Sequence, residues 1–293
     1  MDTSRLHPSL CQGEKIPTVM SLTTRIIPVL LLRDRGLEKS IRFKDFKYVG
    51  CPVNAARVFS NRNADELVLL DTLATAQKRM PPLDIIKEIA DETFMPLTVG
   101  GGIRTVDDMW ALLKRGADRI AVNTAALEHP ELITAGAERF GRQCMVVSLD
   151  VKGSPDGGYE VYTHAGSHPT GLHPVKAAAM LEEAGAGEIL LTSIDRDGTL
   201  EGYDVPLTRA VADAVSIPVI ACGGAGSVAH LSEVCYEGRA SAAAAGAFFL
   251  FYGRRRVVLI TYPTDQDLRA HFKEEHIRPK PLAAPVSMMT ARQ

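Results

Sequence analysis

The stretch VGGGIRT (residues 99–105) decides the fold, because the chain repeats its pattern as ACGGAGS (residues 221–227). A second pair, DELVLLD (65–71) and GEILLTS (187–193), recurs at the same interval of 122 residues, counted from Gly101 to Gly223. Self-similarity at a fixed interval indicates a chain built from repeated structural units. Two half-barrels of this size would together make one barrel.

Working outward from these repeats, eight short apolar runs alternate with amphipathic segments of helical length. Uninterrupted apolar runs are typical of strands that are buried on both faces. The pattern predicts an α/β protein, a single (β/α)8 TIM barrel built from two half-barrel repeats, with a doubly wound open sheet as the alternative. The runs cover residues 26–32, 66–71, 97 and its neighbours, 119–123, 144–150, 188–193, 217–222 and 240–245.

The two ends of the chain differ from this pattern. Residues 1–19 are of mixed polarity and lack the apolar stretch of a signal peptide, so we expect a disordered extension there. Residues 273–293 are polar and contain proline, which predicts a disordered tail. The barrel itself is expected to span residues 20–272.

The composition excludes several classes of protein. With 33 Lys+Arg against 35 Asp+Glu, the net charge of −2 gives no electrostatic case for nucleic-acid binding. Charged residues interrupt every apolar run before the roughly 18 residues that a membrane span needs. The five cysteines are scattered and never form a CxxC pair, which favours a reducing, cytoplasmic location. His164 and His168 have the spacing of a ligand pair but lie in a Gly- and Pro-containing loop, so we predict no metal and no cofactor.

Glycine-rich loops follow the third and seventh predicted strands, where a barrel carries its function. Such loops let backbone N–H groups approach a phosphate. Together with the residues after the fourth and eighth strands they predict two opposed phosphate sites, and hence a doubly phosphorylated ligand; the alternative is that they are only tight turns. The candidate residues are Gly101, Gly102, Asn123 and Thr124 on one side, and Gly223, Gly224, Ala245 and Gly246 on the other.

Asp150 is the candidate catalytic residue, because it ends the fifth predicted strand at the mouth of the barrel. A carboxylate in that place suits general acid–base work, while a helix cap or a solvated loop residue is the alternative. Four further residues are candidates for contacts with a substrate: Lys39, Asp71, Thr192 and Asp197.

Four charged residues stand at the opposite, amino-terminal ends of the strands: Arg25, Glu66, Arg119 and Glu188. Charges inside a barrel are costly unless they pair, and two of each sign cancel. They predict a salt-bridged gate at the barrel floor, or else ordinary charges at strand ends.

The chain resembles the cyclase subunit family of imidazole glycerol phosphate synthase over about residues 24–251. The motifs RIIPVLLL, DELVLLD, TVGGGIRT, RGADRIAVNTAAL, GAGEILLTSIDRDGT and IPVIACGGAG carry this resemblance. It implies a barrel that receives ammonia from a glutaminase docked on its floor and passes it to a doubly phosphorylated substrate at the mouth. It also implies that the four floor charges form the ammonia gate, with Arg119 where lysine is usual, and that Asp150 is one of two catalytic aspartates.

The second aspartate is missing, because Leu31 occupies its place. A narrower resemblance, carried by LLLRDRGLEKSIRFKDFKYVGCPVNAARVF and FFLFYGRRRVVLITYP, is to the cyclase-like proteins that amidate acetamido sugars of O-antigen and related surface polysaccharides. It implies an ATP-dependent sugar amidotransferase as a further partner. Our leading hypothesis is an ammonia-relaying subunit for sugar amidation. The alternatives are a true cyclase of histidine biosynthesis and a non-catalytic scaffold that binds a phosphorylated metabolite.

Overall fold

A computed structural model describes residues 23–253 and 255–277 of the chain. The predicted extension 1–19 and residues 278–293 of the predicted tail lie outside this part. The strands are, in chain order, β1 (Arg25–Arg33), β2 (Gly36–Ile41), β3 (Lys44–Gly50), β4 (Leu67–Asp71), β5 (Leu97–Gly100), β6 (Arg119–Val122), β7 (Met145–Gly153), β8 (Tyr159–Thr163), β9 (His168–Pro169), β10 (Glu188–Ser193), β11 (Val219–Cys222), β12 (Ala242–Ala245), β13 (Phe251–Tyr252) and β14 (Val257–Val258).

Helices follow or connect these strands. They are α1 (Pro52–Asn61), α2 (Leu83–Glu92), α3 (Val106–Leu113), α4 (Thr124–Glu128), α5 (Glu131–Phe140), α6 (Pro174–Glu183), α7 (Val205–Ala212), α8 (Val228–Tyr236), α9 (Ala247–Leu250) and α10 (Asp265–Arg269). None of the helices in the described part of the chain is long and apolar enough to cross a bilayer.

Eight parallel strands close into a barrel. Hydrogen bonds join β1, β4, β5, β6 and β7 in that order, and β10, β11 and β12 lead back to β1. The barrel closes where β7 pairs with β10, in register from Val146 opposite Glu188 to Val151 opposite Ser193. The predicted (β/α)8 barrel is therefore confirmed, and the open sheet is excluded because no barrel strand is left as an edge.

The barrel strands are apolar throughout because both of their faces are buried. In β1, Ile26 and Leu30 belong to the layer between the barrel and its helices, whereas Ile27 and Val29 belong to the barrel interior. Strand side chains alternate between faces, so each strand contributes to both layers. The interior cluster consists of Ile27, Val29, Val68, Ala121, Val146, Leu190, Ile220, Cys222, Ala242 and Ala244.

Two excursions stand over the carboxyl-terminal ends of the strands. β2 and β3 form an antiparallel hairpin directly after β1, and β8 with β9 extends the end of β7. The first hairpin is held down where the Arg42 backbone N–H donates a 2.8 Å hydrogen bond to the Asp197 carbonyl. These excursions cover the end of the barrel that the carboxyl-terminal ends of the strands form.

The segment after α9 returns along the outside of the barrel. The Tyr262 hydroxyl donates a 2.9 Å hydrogen bond to the Ile26 carbonyl, and Phe272 is buried. At the end of this segment the Thr24 N–H donates to the His276 carbonyl at 2.8 Å. The structured chain thus continues to Ile277, five residues into the region expected to be a disordered tail.

We expect Leu190→Ala to destabilise the protein by about 3 kcal/mol, because it leaves a cavity in the closed interior where neighbouring strands cannot collapse. Urea denaturation monitored by circular dichroism measures this change. The matched control is Phe94→Ala, since the Phe94 side chain is 98% exposed and loses no packing. Equal effects of the two substitutions would contradict a tightly packed interior.

Candidate active site

The barrel presents two functional ends. Its floor is formed by the amino-terminal ends of the barrel strands, and its mouth by their carboxyl-terminal ends with the loops that follow. The predicted gate residues lie at the floor, and most of the predicted ligand-binding residues lie at the mouth.

At the floor, Arg25, Glu66, Arg119 and Glu188 form a closed set of ion pairs, which we call the floor ring. Arg25 contacts Glu66 at 2.8 Å and also pairs with Glu188. Arg119 contacts Glu66 at 2.6 Å and Glu188 at 3.4 Å. Each carboxylate therefore bridges both guanidinium groups, which is the pairing that the balance of charges predicted.

The two acids of the floor ring are buried more deeply than the two arginines. Glu66 is almost fully buried and accepts a further 2.9 Å hydrogen bond from the Thr98 hydroxyl. Burial alone would lower the pKa of Arg25, but its bonds to Glu188 and Glu66 outweigh this and raise that pKa above its ordinary value. With two arginines and two glutamates, the formal charges of the ring cancel.

Between the floor ring and the mouth, the interior cluster contains only apolar side chains and Cys222. Three of its members are the small residues Ala121, Ala242 and Ala244. An apolar interior strongly disfavours an ion and imposes much less cost on a small neutral molecule. The floor ring and the mouth are therefore separated by a medium that discriminates against charge.

At the mouth lies a cavity of about 740 Å³, which we call the mouth cavity. The first hairpin, the β8–β9 turn and the ends of the barrel strands surround it. It brings together ten of the residues that sequence analysis selected: Lys39, Asp71, Gly101, Gly102, Asn123, Thr124, Asp150, Thr192, Asp197 and Gly246.

Asp150 lines the mouth cavity and has no counter-ion among residues 23–253 and 255–277. Burial, with a smaller contribution from the negative charge of Asp197, raises the pKa of Asp150 to about 7. Within the described part of the chain, no group donates a hydrogen bond to its carboxylate. A carboxyl group with a pKa near neutrality can both accept and donate a proton at physiological pH, which is what a general acid–base catalyst requires.

Lys39 and Asp197 are paired with each other. The Lys39 ammonium lies 2.6 and 2.8 Å from the two carboxylate oxygens of Asp197, and both side chains are buried. The stem of Lys39 also packs over Gly246, where an added Cβ would stand 3.0 Å from the lysine Cε. In this arrangement Lys39 covers the loop after β12.

Asp71 is also engaged within the protein. Its carboxylate pairs with Arg79 at 2.5 Å and accepts hydrogen bonds from the backbone N–H groups of Leu73 and Ala74 at 3.0 and 3.1 Å. Its carbonyl oxygen would lie only 2.5 Å from a Cβ at Gly101, whose φ of +116° also favours glycine. Asp71 thus packs against the loop after β5 and leaves no room for a side chain at Gly101.

The residues after β6 hold the β8 excursion in place. The Asn123 amide donates to the Ser148 carbonyl at 2.9 Å, and the Thr124 hydroxyl accepts the His164 backbone N–H at 3.0 Å. Both residues line the mouth cavity beside Gly101 and Gly102, so this half of the predicted phosphate set converges on one space.

The second group of predicted phosphate-binding residues does not converge on the mouth cavity as a whole. Gly246 lines the mouth cavity, whereas Gly223, Gly224 and Ala245 are buried and are not part of its lining. A Cβ at Gly223 would stand 2.7 Å from the Ser193 carbonyl, and the Gly224 carbonyl accepts the Gly202 N–H at 2.8 Å. The loop after β10 therefore covers the glycines that follow β11.

Sequence analysis did not select several residues that line the mouth cavity. Phe43 and Phe46 come from the first hairpin, His164 from the β8–β9 turn, Arg33 from the end of β1, and Lys78 and Arg104 from loops. The alternation of charged and apolar residues in LEKSIRFKDFKYV is a strand signal that could have revealed the hairpin. Nothing in the sequence alone would have placed it over the mouth.

Leu31 and Cys222 form part of the cavity base. Leu31 packs beside Leu70, to which it is also aligned in the sheet. Burial raises the pKa of the Cys222 thiol to about 12, so this thiol stays protonated and acts as a small packing residue rather than a nucleophile. In residues 23–253 and 255–277, no group of three or more His, Cys, Asp or Glu side chains is arranged to hold a metal ion.

We expect Glu66→Gln to destabilise the protein by about 3 kcal/mol, because it leaves two partly buried guanidinium groups sharing one carboxylate. Chemical denaturation at neutral pH measures this. Glu92→Gln is the matched control, since the Glu92 side chain is 38% exposed and pairs only with the exposed Arg57. The floor ring would be energetically unimportant if both substitutions had the same small effect.

Asp150→Asn should stabilise the protein at alkaline pH. Because the pKa of Asp150 is raised in the folded state, folding favours the protonated carboxyl, and wild-type stability is lost as pH rises from about 4 through about 7. Asparagine cannot ionise and avoids this loss. We expect an advantage of about 3 kcal/mol for the variant at pH 8, shrinking towards pH 4, in paired urea titrations. An advantage that did not depend on pH would show that Asp150 titrates normally.

Two comparisons with known proteins agree with this geometry. The sequence profile of a family described as "Histidine biosynthesis protein" matches residues 25–254. The chain is also 48% identical to the imidazole glycerol phosphate synthase subunit HisF of Alkaliphilus metalliredigens (strain QYMF) over 228 residues, which cover 78% of this chain and 90% of that protein. Both matches cover most of the chain. The chain therefore belongs to the histidine biosynthesis protein family, among relatives of the synthase cyclase subunit.

Proposed function

We propose that the chain is the cyclase subunit of an imidazole glycerol phosphate synthase. In this function a glutaminase partner docks at the floor and releases ammonia, which crosses the barrel and reacts with a phosphorylated substrate in the mouth cavity. The name of the HisF relative supports this reading over sugar amidation as the main function.

The floor supports the proposal through its charge balance. A closed ring of two arginines and two glutamates seals the barrel without leaving a net charge that would hold an ammonium ion. Passage of ammonia would require one of these pairs to separate. The apolar interior beyond the ring would then admit neutral ammonia and reject ammonium and water-borne protons.

The mouth supports the proposal through its reactive group. Asp150 faces the other end of the same interior, is unpaired and has a pKa near 7. Gly101, Gly102, Asn123 and Thr124 beside it would accept one phosphate group of the substrate, and Gly246 stands with Lys39 and Asp197 on another side. The observation that carries the proposal is this pairing of a neutral ring at the floor with an unpaired acid at the mouth.

Leu31 favours a second candidate function, the amidation of an acetamido sugar for surface polysaccharide. It places an apolar side chain, together with Leu70 and Val29, in the lining of the cavity that also contains Asp150. A leucine can neither give nor take a proton, but it can pack against the methyl of an acetamido group. In this reading the barrel relays ammonia to a reaction that an ATP-dependent sugar amidotransferase completes.

Turnover without a glutaminase separates the two functions. The purified chain, supplied with ammonium salt and the ribulosyl-phosphate substrate of the cyclase, should form product, and Asp150→Asn should lower kcat by about 10²-fold or more. Product formation by liquid chromatography is the measurement. Asp156→Asn is the matched control, because Asp156 is exposed on the turn between β7 and β8 and bonds only locally.

A folded chain without turnover would refute the cyclase function. Formation of an acetamidino sugar by the chain with a glutaminase and a sugar amidotransferase would then establish the second function. In that reconstituted complex, Glu188→Ala distinguishes a conduit from a scaffold: a conduit loses glutamine-dependent product, whereas a scaffold does not.

A further inference from the structure

His164 is a histidine of the mouth cavity for which neither function above provides a role. It lies on the turn between β8 and β9, its side chain is half-buried, and it lines the cavity. Its neighbour His168 packs against it with ring centroids 4.5 Å apart, but it is exposed and lies outside the lining. The two histidines therefore differ in access to whatever occupies the mouth.

The strand register places the turn that carries His164 next to the end of β7. Asp150 in β7 lies directly opposite Tyr162 in β8. His164 follows Thr163, the last residue of β8, and begins the turn. Asp150 and His164 both line the mouth cavity.

The turn that carries His164 is held from several directions. Its backbone N–H donates to the Thr124 hydroxyl at 3.0 Å, and its carbonyl accepts from the Ser167 hydroxyl at 2.7 Å. Its φ of 52° lies in the left-handed region that residues with side chains rarely adopt, and Ala165 beside it has a φ of 54°. Such a conformation persists only where the surroundings enforce it, and it is concentrated at functional sites.

One nitrogen of the His164 imidazole has no hydrogen-bond partner in the described part of the chain. Nδ1 lies 3.1 Å from the Thr163 hydroxyl, and no hydrogen bond to Nε2 is found within residues 23–253 and 255–277. The hydrogen bond at Nδ1 fixes the ring and leaves Nε2 to exchange a proton.

Most other ionisable side chains around the cavity are occupied. Asp71 is paired with Arg79, Asp197 with Lys39, Arg33 with Glu38 and His129 with Glu131. Glu128 is exposed, and Lys78 and Arg104 are basic side chains. Lys152 is a charged residue on the neighbouring β7, and its ammonium lies over the Tyr162 ring.

We infer that His164 is a second proton-transfer residue of the mouth, working with Asp150 on opposite sides of one reacting group. When ammonia forms a bond to an electrophilic carbon of the substrate, the new nitrogen is positively charged and must lose a proton. The leaving group takes the electron pair of its breaking bond and must gain a proton. One residue accepts the first proton and the other supplies the second, so the pair gains none overall.

This inference rests on the proposed function, so its first test needs no turnover. In the full chain labelled with ¹³C at histidine Cε1, the His164 signal is the one that disappears in His164→Gln. Because both side chains line one cavity, Asp150→Asn should move the His164 signal at neutral pH. Asp156→Asn should leave that signal in place. A shift no larger than that of the control would overturn the pairing, whether or not the chain is a cyclase.

The second test uses turnover with ammonium and the ribulosyl-phosphate substrate. His164→Gln should lower kcat about 10²-fold, change KM less than about threefold and remove one limb of the pH–rate profile. His168→Gln, on the same turn, should keep both limbs. If the wild type turns over and His164→Gln retains its kcat and profile, the proton-transfer role is wrong while the cyclase function stands. If the wild type does not turn over, the cyclase function fails, and the His164 signal in Asp150→Asn still decides whether the pair exists.

Discussion

Closure of the eight-stranded barrel is the constraint on which the rest of this structure depends. Once β7 pairs with β10, every side chain that points inward must share one narrow space with inward side chains from the other strands. Apolar residues satisfy this by packing. Charged residues can enter only where they neutralise one another, and the floor ring does so with two arginines and two glutamates. The same closure separates the floor from the mouth by an apolar interior.

That separation gives the two ends different chemistry. At the floor, the formal charges compensate one another and the ring of ion pairs is closed. At the mouth, Asp150 stands without a counter-ion, and its burial makes proton exchange possible near neutral pH. A barrel that carries both features can keep a neutral reagent away from solvent until it meets an acid–base group.

The two sides of the mouth differ in structure, although the sequence motifs on the two sides repeat. Gly101 and Gly102 line the mouth cavity, but their counterparts Gly223 and Gly224 are covered by the loop after β10. The first hairpin adds to this asymmetry, because it places the buried Lys39–Asp197 pair over Gly246. One side of the mouth is therefore open to a ligand and the other is occupied by the protein itself.

The sequence by itself determined the barrel. Its eight apolar runs and its 122-residue repeat follow from local rules, since a strand buried on both faces must be apolar along its whole length. It also identified Asp150 and the four floor residues, because each stands at the end of such a run, and a strand end fixes the end of the barrel to which a residue belongs.

Only the tertiary structure decided which of these residues are free to act. Asp71 and Lys39 look like ligand contacts in the sequence, but Arg79 and Asp197 pair with them in the folded chain. His164 stands in a loop that gives no periodic signal, and its place in the lining of the mouth cavity follows from the pairing of β8 with β7. Partners distant in the sequence meet through packing, which depends on the whole chain at once. For that reason local patterns located the strand ends, and the closed barrel assigned their partners.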